Sequence, residues 1–559
     1  MTIFRSYTHT SIKSSISETM KNIIPFSLLS IPFFLTLILI SNVPTSSAAD
    51  NFTRCLVEPH FVGITTAEIV YYPTNTSYTS IFQSSIQNLR FSSPSTPRPL
   101  AIVTPVDEAQ IQIFLGCARD FAVQVRIRGN GHDMEGLSYR SPVPFLLIDL
   151  TNFRDITIDV ANRTAWVQAG VTVSELYYRI AEKSSTLGFP GSTWPSVGIG
   201  GFLSGGGYGT LMRKYGLGCD NVIDIRFMDK NGNIFTDKQS IGDDVFWAVR
   251  GGIASNYGIV LAWQIKLVPV PATVTVFNVK RTLEQNATDL VHKYQTFAPD
   301  TDRNLFIRAR ITPENMNAID GSQKTVAVYF QALYLGRASG VLKIMQNTFR
   351  ELDLLKRDCL EMSWAKSALW FAGDVGFPKG DSLEQLLNRD LAPKLYVKAK
   401  SDFVEEPISK NGLKQIWKRL MEIEQGATNL VMTPYGGKMS TFSEGATPFP
   451  HRSGNLYMLF QGIYWNGSTP VETQNGRLAW LRSLSNDLTP YVSSNPRRSY
   501  VNYNDLDLGV GNSTYAEASI WGRRYFNNNF KRLVRLKNTM DAENFYLHEQ
   551  SIPPFALTT

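Results

Sequence analysis

The chain has 559 residues, of which 43% are hydrophobic, 12% aromatic and only 18% charged. That length suits two to four ordinary domains or two large ones, and the composition excludes a disordered, collagenous or coiled-coil chain. A net charge of +7 over such a length is too dilute for nucleic-acid binding.

The first predicted element is a secretory signal. Lys21 precedes the apolar run Ile23 to Ile40, which leads to Ser46-Ser47-Ala48-Ala49, the charged, apolar and small-residue order of a cleaved leader. The run approaches membrane-spanning length, but Pro25, Pro32 and the small-residue exit favour cleavage near Ala48 or Ala49 over an anchor. Residues 1–49 then form signal and extension, with initiation at Met1 or Met20, and the mature chain begins near Asp50. Sequons at Asn51, Asn75, Asn162, Asn286, Asn466 and Asn512 fit an N-glycosylated protein of the secretory route, extracellular or vacuolar, with no membrane association after signal removal. Cys55 and Cys117 lie early while Cys219 and Cys359 are scattered. A Cys55–Cys117 disulfide is the simplest pairing and four buried thiols the alternative; without Cys-X-X-Cys spacing no metal site is expected.

From Pro99 to Leu267 short apolar strands (Ala101 to Thr104, Val123 to Ile127, Phe145 to Ile148) alternate with helical segments such as Val173 to Lys183, so residues 50–270 read as an α+β domain. Pro269 and Pro271 mark a boundary near residue 270. In residues 271–500, period-two strands (Leu305 to Ile311, Val326 to Leu335, Asn455 to Trp465) alternate with amphipathic helices (Leu290 to Phe297, Gly412 to Glu424). That pattern predicts an antiparallel sheet backed by helices. The last segment, 501–559, turns polar and aromatic again.

Two motifs carry chemistry. Between Gly198 and Gly209 seven of twelve residues are glycine, so backbone N–H groups can approach an anion such as a pyrophosphate. The apolar Ile199, Phe202, Leu203 and Tyr208 among them mark a packed loop rather than a polar linker. It matches neither a phosphate loop nor a dinucleotide fingerprint. In Arg126-Ile-Arg-Gly-Asn-Gly-His132, a histidine follows a strand and a tight turn. Asn130 is expected to supply positive φ there, and His132 can be nucleophile, base, ligand or covalent tether.

These motifs, together with Trp247-Ala-Val-Arg-Gly-Gly252, Pro448-Phe-Pro-His-Arg452, Asn502-Tyr-Asn-Asp-Leu-Asp-Leu508 and Glu549-Gln-Ser-Ile-Pro-Pro554, resemble the plant berberine bridge enzyme-like family of FAD-linked oxidases, from about Cys55 to Pro554. Relatives in that family include cannabinoid-acid synthases and mulberry-type Diels–Alder cyclases. The resemblance implies a bilobal fold. An FAD-binding lobe of vanillyl-alcohol-oxidase type, made of 50–270 and the returning 501–559, surrounds a substrate lobe of 271–500. His132 matches the histidine bonded to the flavin 8α-methyl. Arg128, Gly129, Asn130, Gly131 and Ser138 are implied around the cofactor, as are Gly200, Gly201, Ser204, Gly205, Gly206 and Gly209, with Ile259 and Asn544 further along.

Departures from the family pattern shape the expected chemistry. Where many members have a second, cysteine tether, this chain has Trp194-Pro-Ser-Val-Gly198, so FAD is expected to be covalent through His132 only. A tyrosine position two after the histidine is Met134, and the position of a carboxylate or glutamine base is Phe460, with Met458 on the same strand face and Gln461 pointing away. The polar groups left are Tyr503, matching the base of cannabinoid synthases, and Tyr208, matching a tyrosine beside the flavin. Arg308 and Arg310 are candidates for the cation a phenol needs to act as a base at ordinary pH. They alternate with Leu305, Ile307, Ala309 and Ile311 and so leave the core, although two solvated arginines would show the same pattern. Val197 occupies a position associated with O2 access. Three functions compete: a monomeric oxidase passing hydride from a small-molecule specialised metabolite to FAD and then to O2, a redox-silent Diels–Alder cyclase that works by orientation, and a non-catalytic flavoprotein.

Overall fold

The computed structural model describes residues 46–57, 68–316, 323–374, 376, 380, 382–511 and 513–555. The run Ile23 to Ile40 and the sequon at Asn512 lie outside the described residues. Residues 45–559 form one compact unit. Its first sheet contains β1 (Val70–Tyr71), β2 (Ala101–Val103), β3 (Gln124–Arg128) and β4 (Phe145–Asp149) in the order β1-β2-β4-β3. β2 and β3 run parallel to β4, joined through the helix Glu108–Asp120. That helix starts where the Asp107 carboxylate accepts the Gln110 N–H. β4 is buried along its length, as a continuous apolar run inside a covered parallel sheet must be.

The chain next forms β5 (Ile156–Asp159), β6 (Thr164–Gln168), the helix Val173–Lys183 and the short β7 (Leu187–Gly188). A reciprocal capping box starts that helix: the Thr172 hydroxyl accepts the Glu175 N–H, and the Glu175 carboxylate accepts the Thr172 N–H. β8 (Val222–Met228), β9 (Ile234–Phe235) and β10 (Ile259–Lys266) complete an antiparallel sheet ordered β5-β6-β10-β8-β9, and β11 (Val268–Pro269) pairs back onto β7.

Beyond Pro269 a separate seven-stranded sheet begins. It consists of β12 (Val274–Thr282), β13 (Leu305–Asn315), β14 (Lys324–Tyr334), β15 (Cys359–Met362), β16 (Tyr396–Val404), β17 (Thr428–Pro434) and β18 (Tyr457–Trp465). The order is β15-β12-β14-β13-β17-β18-β16, with every pair antiparallel. Leu305, Ile307, Ala309 and Ile311 of β13 are at most 1% exposed and pack with residues of the helices Ala287–Asp300 and Lys410–Leu420. Burying each of the larger three contributes about 2 kcal/mol, so a one-residue slip that exposed them is strongly opposed. The register turns Arg308 and Arg310 to the opposite face.

Two turns differ from the sequence expectation. Gly131, not Asn130, carries the left-handed conformation, at φ 68°, and a Cβ there would lie 1.5 Å from the Ser85 carbonyl oxygen. The glycine-rich stretch is not wholly loop: Ile199–Ser204 forms a short helix capped by Gly198.

Cys55 and Cys117 are bridged, tying the helix Ser46–Val57 to Glu108–Asp120, while Cys219 and Cys359 are free. The bridge closes a loop of sequence separation 62, which in the chain-entropy view stabilises by about 4 kcal/mol. Replacing both cysteines by serine should lower the denaturation free energy by about that amount. Peptide mapping without reduction should recover Cys55 linked to Cys117, with the other two cysteines alkylated.

Candidate functional site

A cavity of about 580 Å³ opens between the carboxyl end of β3, the glycine-rich helix, the inner face of the seven-stranded sheet and the C-terminal segment. Position beyond the carboxyl end of a parallel strand is where open α/β sheets gather ligands. His132 leaves the turn after β3, and its Nε2 shares a 2.8 Å hydrogen bond with Ser196 Oγ. Burial pulls its pKa down to about 4, against a smaller opposing contribution from Ser196. The ring is therefore neutral at ordinary pH and keeps a nucleophilic lone pair. Asp133, the next residue, accepts at Oδ1 from the Glu135 and Leu137 N–H groups and from Asn504 Nδ2, each at 3.0 Å. One carboxylate thus shapes the histidine turn and fastens it to the C-terminal segment.

The sheet contributes rows of side chains. Arg310 stands opposite Tyr329 and Val431, and Val431 opposite Phe460. The Arg310 guanidinium lies 4.2 Å from the Tyr329 ring centroid. Arg308 donates to Gln331 Oε1 at 2.9 Å and packs over Phe371. Phe460 meets the Tyr503 ring edge-to-face at 4.9 Å, and Met458 is buried in the cluster holding Tyr208 and Tyr503. Gln461 is on the other face, giving its Nε2–H to Asp402.

Tyr208 and Tyr503 are hydrogen-bonded through their hydroxyls. Tyr500 packs edge-on against both rings, and its own hydroxyl accepts the Gly207 N–H at 3.0 Å. Burial raises the pKa of both phenols of the pair. At Tyr208 the Tyr503 hydrogen bond and the Arg308 charge oppose that rise, whereas at Tyr503 its neighbours add to it.

The cavity brings together His132, Gly129, Asn130, Gly131 and Ser138 with Trp194, Val197, Gly200, Gly201, Ser204 and Ile259, and with Tyr208, Tyr503, Arg308 and Arg310. Five expected cofactor residues are not in its wall. Arg128 is wholly buried in an ion pair with Asp149 and in bonds to the Phe82 and Ile81 carbonyls. Gly205 and Gly209 lack a Cβ to admit Asn502 and the Gly191 carbonyl, Gly206 packs beside Phe449, and Asn544 takes positive φ in a turn begun by Asp541. Sequence reasoning missed Arg126, Asp133, Asn504 and His548, which do line the cavity. Arg126 and Arg128 alternate with Val125 and Ile127 and so share one face of β3, which leaves spacing with no signal to separate them.

These residues fit FAD. Arg126 Nη2, Asn130 Oδ1, Trp194 Nε1 and Asn504 Oδ1 are buried without a hydrogen-bond partner among the described residues, on side chains that line the cavity. Buried polar groups are normally paired, so donors and acceptors together call for a large polar ligand. A Cβ at Gly201 would meet no atom within 4 Å, and one at Gly129 only the Ala169 oxygen at 3.7 Å, so backbone lies open to it. His132 and Ser138 would hold the ligand from the β3 side, Gly200, Gly201 and Ser204 from the glycine-rich helix, and Asn504 from the C-terminal segment. Among the described residues no group of histidines, cysteines or carboxylates could hold a metal.

Comparison with known proteins gives a family model described as FAD binding domain matching residues 99–238, and one described as berberine and berberine like matching 499–553. Berberine bridge enzyme-like 11 of Arabidopsis thaliana is 46% identical over 528 residues, covering 94% of this chain and 99% of that protein. Tetrahydroberberine oxidase of Berberis wilsoniae is 44% identical over 534 residues, covering 94% and 98%. The solved structure of wild-type Phl p 4.0202, a glucose dehydrogenase, matches with a TM-score of 0.83 at 40% identity, covering 90% of this chain and 99% of that one.

The buried imidazole sets an acid limit. A histidine whose pKa falls from 6.5 unfolded to about 4 folded supports the fold above pH 6.5 and loses that support as pH falls from 6.5 toward 4, roughly 3 kcal/mol in all. Nitrogen NMR of flavin-free protein should find the His132 ring neutral at pH 5.5, and His132→Ala should flatten this part of the stability profile.

Proposed function

Because the chain belongs to the berberine bridge enzyme-like family of FAD-linked oxidoreductases, we propose that it is an FAD-dependent oxidase of an apolar phenolic, prenylated or alkaloid metabolite, with the flavin held covalently through His132 alone. Bound FAD supplies a hydride acceptor that O2 can reoxidise. The neutral His132 imidazole is in the state a tether requires, and Trp194 occupies the position where a cysteine would form the second one. Val197, in the cavity wall, supports O2 as the acceptor. Met134, Trp194, Val431, Phe460 and Tyr464 give the cavity an apolar and aromatic wall, which favours a flat, greasy substrate over a bare sugar.

The phenol pair carries the reading. With Met134 and Phe460 unable to exchange protons, the substrate's proton goes to Tyr503, the base the family pattern implies, whose hydroxyl shares a hydrogen bond with that of Tyr208. A cyclase that uses no redox step is the second reading, favoured by the apolar Phe460 and Met134. There Arg308 and Arg310 would orient and polarise the reacting partners. Secretion is supported by the disulfide and by the exposure of Asn51, Asn75, Asn162, Asn286 and Asn466. Among the described residues no helix is long and apolar enough to cross a membrane.

Tyr503→Phe should leave flavin content unchanged and slow anaerobic flavin reduction by roughly 10² to 10⁴. Tyr208→Phe, which leaves Tyr503 its hydroxyl, should slow the same step by less. A substrate that is isomerised or joined to a partner while the flavin stays oxidised would decide for the cyclase.

A further inference from the structure

Beyond Phe460 the sheet wall of the cavity carries a polar spot. β17 and β18 pair with Val431 opposite Phe460 and Asn429 opposite Gly462. Residues two apart share a strand face, so Asn429 and Gly462 form the next row on the cavity side, about 7 Å from the Phe460 row. Gly462 leaves its place in that row empty of side chain. A Cβ there would stand 2.6 Å from the Tyr464 hydroxyl oxygen and 2.8 Å from the Phe460 ring. Tyr464 uses the space to lean back over the glycine, and its hydroxyl donates to Asn429 Oδ1 at 3.3 Å. Burial lifts that phenol to about 12, against the Asn429 bond and the Arg310 charge, so it keeps its proton and the amide oxygen remains the acceptor. Asn429 and Tyr464 are half-buried and line the cavity. The Asn429 Nδ2 bonds to no described residue, yet it is not among the sealed polar atoms. The wall therefore presents an accessible, unused donor whose direction is fixed by Tyr464.

We propose that Asn429, oriented by Tyr464, determines specificity by giving a hydrogen bond to an oxygen at the far end of the substrate, an extended aromatic molecule carrying a phenolic or carbonyl oxygen there. This deepens the reading above and rests on its placing the substrate between the phenol pair and the sheet. Met458, one row before Phe460, packs in the cluster of Tyr208 and Tyr503, and Asn429 stands one row after it. The reacting carbon and the far oxygen are then separated by one to two rows, about 7 to 14 Å. The apolar row of Phe460 and Val431 lies between them and suits an aromatic ring. Arg310, opposite Val431, favours an electron-rich oxygen at that end. A molecule without the oxygen would cover the Asn429 donor and leave it unpaired, which is how a site built to hydrogen-bond one group rejects an analogue that lacks it.

The test uses the flavin-loaded full chain and a matched pair of probes, biphenylmethanol with and without a para hydroxyl on its far ring. Dissociation constants are taken, without O2, from the concentration dependence of the flavin's spectral shift or reduction. The hydroxylated probe should bind about 10-fold tighter. Asn429→Leu should bring the two to within about twofold by weakening the hydroxylated probe alone, and Tyr464→Phe should lose part of the preference. Equal binding in the parent, a preference that survives Asn429→Leu, equal weakening of both probes, or binding of neither overturns the assignment. Should Asn429→Leu not fold, Asn429→Asp carries the comparison, because it keeps the size and the Tyr464 bond but has no side-chain N–H. Loss of the preference there supports the assignment and its survival refutes it. A preference without flavin bleaching counts against the oxidase reading and leaves this assignment standing, whereas bleaching without a preference does the reverse.

Discussion

Two buried lysines on β16 hold the halves of the site together. Lys398 lies between Glu135 and Asp505, and Lys400 reaches Asp505 at 2.7 Å and Asp507 at 2.8 Å, with Arg482 closing on Asp507 at the rim. Lysines this deep lose their charge unless paired. Burial alone would lower Lys398, but the Asp505 and Glu135 carboxylates outweigh it and raise its pKa. The geometry matters more than the energy, because a buried ion cluster adds little net stability yet is costly to break. Glu135 is three residues after His132, and Asp505 two after Tyr503. One knot of charge therefore fixes the proposed flavin tether and the phenol pair relative to each other and to the seven-stranded sheet, although they come from opposite ends of the chain.

The glycines do the complementary work of close approach. Gly201 leaves backbone open to the cavity, whereas Gly205, Gly207 and Gly209 let Asn502, Phe202 and the Gly191 carbonyl sit where side chains would otherwise be. One run of sequence thus does two jobs, cradle and hinge-free packing. The second delivers Tyr208 to Tyr500 and Tyr503. Phe460 and Met458 then pack against the pair from the sheet side, where a low local dielectric strengthens the hydrogen bond between the two hydroxyls.

Much of this was legible in the sequence where a period or a motif carried it. Alternation along Leu305 to Ile311 told which face of β13 held the arginines, because only one facing buries the aliphatic residues. The two early cysteines told the disulfide. The helix Ile199–Ser204 was not legible, since glycine density argues against helix and only tertiary packing around Phe202 and Leu203 overrides it. Nor could local spacing distinguish Arg126 from Arg128. Arg128 is matched by Asp149 across a parallel ladder, a pairing that depends on strand register, and the residue without such a match is the one left facing the cavity. The pairing of the Tyr208 and Tyr503 hydroxyls likewise depends on tertiary structure, because the two residues lie 295 apart in sequence.

The same reasoning bears on why a chain with tryptophan at position 194 can retain its cofactor. On the reading proposed above, giving up one covalent link leaves the ring end held at a single atom of His132, about which the flavin could pivot. Pivoting is limited only by contacts made elsewhere along the molecule. The Trp194 indole, fixed at its backbone by the Ser192 hydroxyl and lining the cavity, would stand in the place of the lost thioether as a bulky side chain, and a packed wall that leaves a planar ring no room to turn would restrain it without a second bond.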